Sequence, residues 1–130
     1  MHAILLCDWT TVQGTTSSSP IVQGDDQWID LTPYQEAVFW VDCREVTGTV
    51  TLNLETSPSR DDVYFKSMVN PTAGQTGISL VNGTAPVAYA ALLASAPTPL
   101  ARWVRWKLVG TGSTWDATFR IWASCNSPGM

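Results

Sequence analysis

Seven consecutive residues constrain this chain more tightly than any other feature. In Thr49-Val50-Thr51-Leu52-Asn53-Leu54-Glu55, polar and apolar side chains alternate without exception. An extended chain turns successive side chains to opposite faces, so Val50, Leu52 and Leu54 share one face and the polar residues share the other. A helix, with its period of about 3.6, places no such pattern on one side. Residues 36–46 behave in the same way. Ala37, Phe39, Val41 and Cys43 have one parity, while Val38, Trp40, Asp42 and Arg44 have the other. Gly48 lies between these two segments and predicts a turn, which makes them the expected hairpin of the fold.

Further short strands are expected over 4–9, 63–69, 78–81, 100–109 and 115–124, with an extended reading for 87–95. Sixteen Thr, eleven Ser, nine Gly and eight Pro favour strands and turns over helices. The fold class that follows is all-β, an antiparallel β-sandwich of jelly-roll type. With 130 residues the chain has room for one such domain. Residues 1–24 are expected as an N-terminal strand and polar arm, 25–126 as the sandwich, and 127–130 as a tail. Within the arm, Thr15, Thr16, Ser17, Ser18 and Ser19 form a polar run expected to order on contact with a neighbour.

Charge is low. Asp, Glu, Lys and Arg make up 14% of the chain, against about 25% in ordinary soluble domains. There are two lysines, Lys66 and Lys107, and seven tryptophans. Lys is depleted at protein–protein interfaces whereas Trp and Arg are enriched, so the composition suits a domain covered by neighbours. A Thr/Ser-rich surface that is polar without being charged is the plainer account of the same numbers. The net charge of −4 argues against a nucleic-acid binder. No apolar run approaches the ~20 residues of a membrane span. The start, Met1-His2-Ala3-Ile4-Leu5-Leu6-Cys7-Asp8, has no basic residue and too short an apolar run for a signal peptide. Synthesis in the cytoplasm is therefore expected. Cys7, Cys43 and Cys125 have no metal-ligand spacing and suit reduced, buried thiols.

Catalytic chemistry finds few residues. The single histidine, His2, sits at the terminus, which removes the usual triads and histidine metal sites. Asp25-Asp26 and Asp61-Asp62 match no calcium-loop or glycosidase spacing and suit exposed loop acids. The expectation is no enzyme, no metal and no cofactor. The strand Arg102-Trp103-Val104-Arg105-Trp106 carries the strongest recognition signal. Trp103 or Arg105 suits a partner anchor. Alternatively, Trp106 lies in the core and Arg105 pairs with Asp42 or Glu55, or stacks on Trp40. Trp40 and Trp122 take the outward parity of their strands, as does Arg120, and these complete the set of interface candidates.

Three segments occur in an order that resembles the galactose-binding-like jelly roll of discoidin-type domains. They are Trp28-Ile29-Asp30-Leu31, Leu52-Asn53-Leu54-Glu55-Thr56-Ser57 and Ala101-Arg102-Trp103-Val104-Arg105-Trp106. The resemblance spans about residues 28–124 and implies a fold rather than an activity. The composition also resembles small structural proteins of tailed bacteriophages and phage-like particles. That resemblance implies a virion component such as a decoration, minor capsid or tail protein, with copies of itself and other particle proteins as partners. The alternative is a carbohydrate-binding module or lectin that takes a surface glycan, for which Trp28 and Trp115 are the loop tryptophans.

Overall fold

A computed structural model describes residues 2–18, 20–34, 36–68, 77–80, 87–91 and 100–127. Among these the strands are β1 (His2–Gly14), β2 (Ile21–Val22), β3 (Ile29–Asp30), β4 (Glu36–Ser57), β5 (Lys66–Ser67), β6 (Ile78–Leu80), β7 (Val87–Ala91) and β8 (Trp103–Asn126). Single 3-10 turns lie at Thr16–Ser18, Asp25–Gln27 and Asp62–Tyr64. Every strand pairing is antiparallel. The all-β sandwich expected from the alternation is what the chain forms.

Its backbone is one long pair, β4 with β8, which curls on itself. The first half of β4 and the second half of β8 build one layer, with β1 beyond β8 and β7 beyond β4. The other halves build the second layer, flanked by β2 and β3 on the β8 side and by β5 and β6 on the β4 side. The two inner faces meet in a single apolar core that includes Phe39, Val41, Leu52, Leu54, Leu108, Phe119 and Ile121. Trp106 of the second layer meets Phe119 of the first edge to face, with ring centroids 5.3 Å apart.

The expected hairpin at Gly48 is corrected. Residues 36–46 and 49–55 do not pair with each other; they are successive parts of β4, and both pair with β8. Likewise 100–109 and 115–124 supply parts of the one strand β8. Two irregularities let the pair bend while keeping its apolar side inward. Cys43 faces Phe119 and Glu45 faces Thr118, so Arg44 is an extra residue that switches the inward parity of β4 from odd to even. Farther on, Thr47 faces Asp116 but Thr49 faces Thr111, so Gly48 alone opposes residues 112–115. Gly48 has φ of 80°, a left-handed backbone that favours glycine.

Trp115 fills that corner and is 2% exposed. A Cβ on Gly110 would lie 2.4 Å from its indole ring, and one on Gly48 would lie 3.2 Å from its Cβ. The glycines therefore clear the space the indole occupies. Trp115 is a core residue and not the loop tryptophan expected for a sugar site. The segment 63–69 also departs from expectation. It begins with the Asp62–Tyr64 turn, capped by the Asp61 side chain accepting from Val63 N–H, and among the described residues contributes only the short β5. Within 87–95, residues 87–91 are strand and the remainder lies outside the described residues.

The N-terminal segment belongs to the sandwich. β1 pairs with β8 from His2 to Gly14, well past the expected end at residue 9. The expected arm is corrected accordingly: residues 10–14 are strand, Thr16–Ser18 is a 3-10 turn against β8, and 21–22 is β2. Trp115 Nε1 donates to the Thr15 carbonyl at 3.3 Å, and the Thr15 and Ser17 hydroxyls lie 2.9 Å apart. Ser19 lies outside the described residues. Cys7, Cys43 and Cys125 are free and buried, and burial pushes all three thiols above their usual range.

Candidate interaction surface

The outer face of the first layer carries the exposed tryptophans among the described residues, Trp9, Trp40 and Trp122. Trp40 and Trp122 stand directly opposite each other on β4 and β8. They are 43% and 38% exposed. On the far side of Trp122, β1 places Leu5 in register. Leu5 and Trp9 are also exposed, so the apolar surface runs across three strands. Two residues along, Asp42 faces Arg120, and Arg120 Nη2 lies 3.0 Å from the Asp42 carboxylate. The Arg120 guanidinium is 4.8 Å from the Trp9 ring centroid and 6.0 Å from that of Trp122. Arg44, the extra residue of the β4 bulge, stacks on Trp9 at 4.8 Å.

A groove of about 350 Å³ lies on this face, lined by Ala3, Trp40, Asp42, Arg120, Trp122 and Ser124 among others. Ala3 and Ser124 face each other across β1 and β8, and their short side chains leave the indoles standing above the strands. Two apolar planes beside one ion pair can seat either a protein side chain or a small polar ring with an apolar face. Sequence parity located Trp40, Trp122 and Arg120 on this face. Parity placed Arg44 there too, and it missed Leu5 and Trp9, because bulges in β1 set where those two residues point.

The second layer treats its arginines and tryptophans differently. Arg105 is corrected as an interface candidate, being only 5% exposed. Its Nε donates to Glu55 Oε1 at 2.9 Å and its Nη1 to the Asp62 carboxylate. The guanidinium also lies 4.0 Å from the Phe65 ring centroid and 5.3 Å from that of Trp28. Lys107 Nζ approaches the second Glu55 oxygen at 3.8 Å. Of the alternatives for Arg105, the cross-strand pair with Glu55 is the one formed, since Asp42 and Trp40 lie on the other layer. Trp103 is half-buried, with Arg60 at 4.9 Å and Arg102 at 5.2 Å from its ring centroid. These aromatic faces are occupied by the chain's own cations.

Around them the loops are tied down by hydrogen bonds. Trp28 Nε1 donates to the Gln23 carbonyl at 2.9 Å, and the buried Gln23 side chain donates to the Gln27 carbonyl at 3.0 Å. Asp30 accepts from Thr32 and pairs with Arg102 at 3.2 Å, and those two partners hold its carboxyl below the usual range. Asp25, Asp26, Asp61 and Asp62 are exposed on turns. Among the described residues no three His, Cys, Asp or Glu side chains gather as metal ligands. No helix among them is long and apolar enough to cross a membrane.

No protein-family model and no curated protein matches the chain. Among solved structures it is similar to one described as the structure of infectious bursal disease virus, Gx strain, at 11% identity and a TM-score of 0.48. The similarity covers 98% of this chain and 33% of that one, so this chain spans about a third of the chain it matches.

Proposed function

We propose that this chain is a non-enzymatic structural component of a phage virion or phage-like particle, a decoration, minor capsid or tail protein that acts through subunit–subunit contacts. The observation that carries the reading is the opposed, exposed pair Trp40 and Trp122, extended by Leu5 and Trp9 on the outer face of the first layer. Contiguous aromatic surface of this kind is unfavourable in water and typical of a surface that a partner covers. Low charge and two lysines add to it. The finer fold reading, a discoidin-type jelly roll, draws on the three segments 28–31, 52–57 and 101–106. They lie side by side in the second layer through β3, the end of β4 and the start of β8. The particle proteins that meet this face include other copies of the chain.

Light scattering on size-separated protein, over a concentration series, tests the contact. Wild-type protein is expected to form a closed assembly larger than a dimer, and Trp40→Ser with Trp122→Ser is expected to lose it. An assembly unchanged by the double substitution would overturn the role given to this face.

The groove beside the Asp42–Arg120 pair favours a second reading, a saccharide site. A pyranose ring stacks an apolar face on indole while its hydroxyls bond to a carboxylate and a guanidinium. Tryptophan fluorescence across a panel of soluble glycans decides it. A response abolished by Trp40→Ser supports the site, and silence across the panel eliminates it.

A further inference from the structure

β1 is the one long edge of the sheet among the described residues. It runs for 13 residues, pairs with β8 on one side, and has no other strand partner among the described residues. The edges of the second layer are strands of two or three residues, and β7 is five residues long. A row of unpaired N–H and C=O groups is satisfied by another extended chain, and proteins ordinarily blunt such rows with Lys, Pro or inward charges. β1 contains no Lys and no Pro, and its only acidic or basic residues are His2 and Asp8. From Thr10 to Gly14 it holds an unbroken register with β8 and has no charge.

We infer that the free edge of β1 pairs antiparallel with β1 of a second copy of this chain, over Thr10–Gly14. A second copy fits because its edge is self-complementary about a two-fold axis. Asp8 selects the register. Pairing centred on residue 8 sets the two carboxylates opposite each other, which is destabilising. The irregularities between Leu5 and Cys7 and between Cys7 and Thr10 also break the edge there. Pairing centred on Val12 places Thr10 opposite Gly14 and Thr11 opposite Gln13. It keeps each Asp8 far from its counterpart. Thr and Val also suit the paired, extended state.

The axis of such a pair stands perpendicular to the sheet, so both copies turn the same face outward. The first layer becomes continuous through β4, β8 and β1 of one copy into β1, β8 and β4 of the next. The two Trp40–Trp122 pairs then point in one direction, as a doubled docking face. This contact is separate from the tryptophan face and stands or falls without it.

Val12→Cys tests the inference, because residues directly opposite in an antiparallel pair have Cα atoms within disulfide range. Mild oxidation of Val12→Cys protein is expected to give a covalent dimer, while wild type, whose cysteines are buried, gives none. If that variant misfolds, equal amounts of Thr11→Cys and Gln13→Cys proteins are mixed, since both sites are exposed. Cross-linked heterodimer in excess of either homodimer is expected. The Trp40→Ser, Trp122→Ser protein should keep a doubled mass in solution. A monomer at every concentration, or a dimer in which none of these cysteines cross-links, would overturn the edge pairing. A large assembly without the cross-link would leave the tryptophan contact standing and remove this one. A cross-linked dimer that never grows further would do the reverse.

Discussion

Taking the Arg105 guanidinium out of water costs several kcal/mol, and its surroundings offset that cost piece by piece. Glu55 supplies a buried counter-charge, Asp62 reaches it from the exposed turn, and Phe65 and Trp28 give it aromatic faces. Removing the cation leaves Glu55 buried with Lys107 as its remaining ion-pair partner among the described residues. Arg105→Ala is therefore expected to destabilise the fold by ~3–5 kcal/mol, the scale for breaking a buried pair from one side. Replacing Arg105 and Glu55 together with apolar residues of similar volume should recover much of the loss. Urea denaturation of the single and double variants measures both. Asp30 offers a milder test at the surface. Its carboxyl is held down first by Thr32 and then by Arg102. A depressed carboxyl stabilises the fold above its unfolded pKa, and that contribution is lost as pH falls through the folded value. Because Asp30 is exposed the energy is small, but the titration itself is readable. By carboxyl NMR its midpoint should lie below that of ordinary aspartates. Thr32→Ala and Arg102→Ala should each raise the midpoint toward the ordinary aspartate value.

At the scale of elements, the decisive feature is that β4 and β8 each serve both layers. The corner between them depends on Trp115 seated over Gly48 and Gly110. A methyl group at Gly110 collides with the indole ring, and that side chain is almost fully buried. Gly110→Ala is expected to cost ~1–3 kcal/mol, the usual penalty for overpacking. Gly24→Ala, where the nearest atom is the end of an exposed Asp26 side chain, serves as the near-neutral control. Chemical denaturation of the two variants side by side is the measurement. The same corner explains where sequence reasoning went astray. Alternation in 36–46 and 49–55 identifies both as extended and assigns the correct faces, including outward Trp40 and inward Phe39. A glycine between two such segments suits a hairpin turn or a bend within one strand equally well. What distinguishes them is the partner, here β8, whose paired residues lie 50 to 90 positions away along the chain.

The molecule as a whole presents two unlike outer faces. In the second layer the arginines and aromatics satisfy one another beneath the loops, so the Arg102–Trp106 segment, the most conspicuous recognition signal in the sequence, is largely used internally. In the first layer Trp40 and Trp122 stay exposed, with Arg120 tied to Asp42 beside them. If the particle reading holds, covering that face should quench solvent access to these two indoles while leaving Trp106 and Trp115, already buried, unchanged. Acrylamide quenching before and after assembly checks this difference. By itself the sequence determined the all-β class, the scarcity of catalytic groups and the parity of the core residues along 36–46 and 49–55. Those properties follow from side-chain chemistry and the two-residue period of a strand, both local. Only the tertiary structure decided that two segments are one strand and that Arg105 is buried while Arg120 is half-exposed. It also decided that the polar run at 15–18 docks on β8 and that, among the described residues, β1 leaves an edge open. Each of these depends on which distant strand lies alongside, and hydrogen bonding between strands sets that at a range no local pattern reaches.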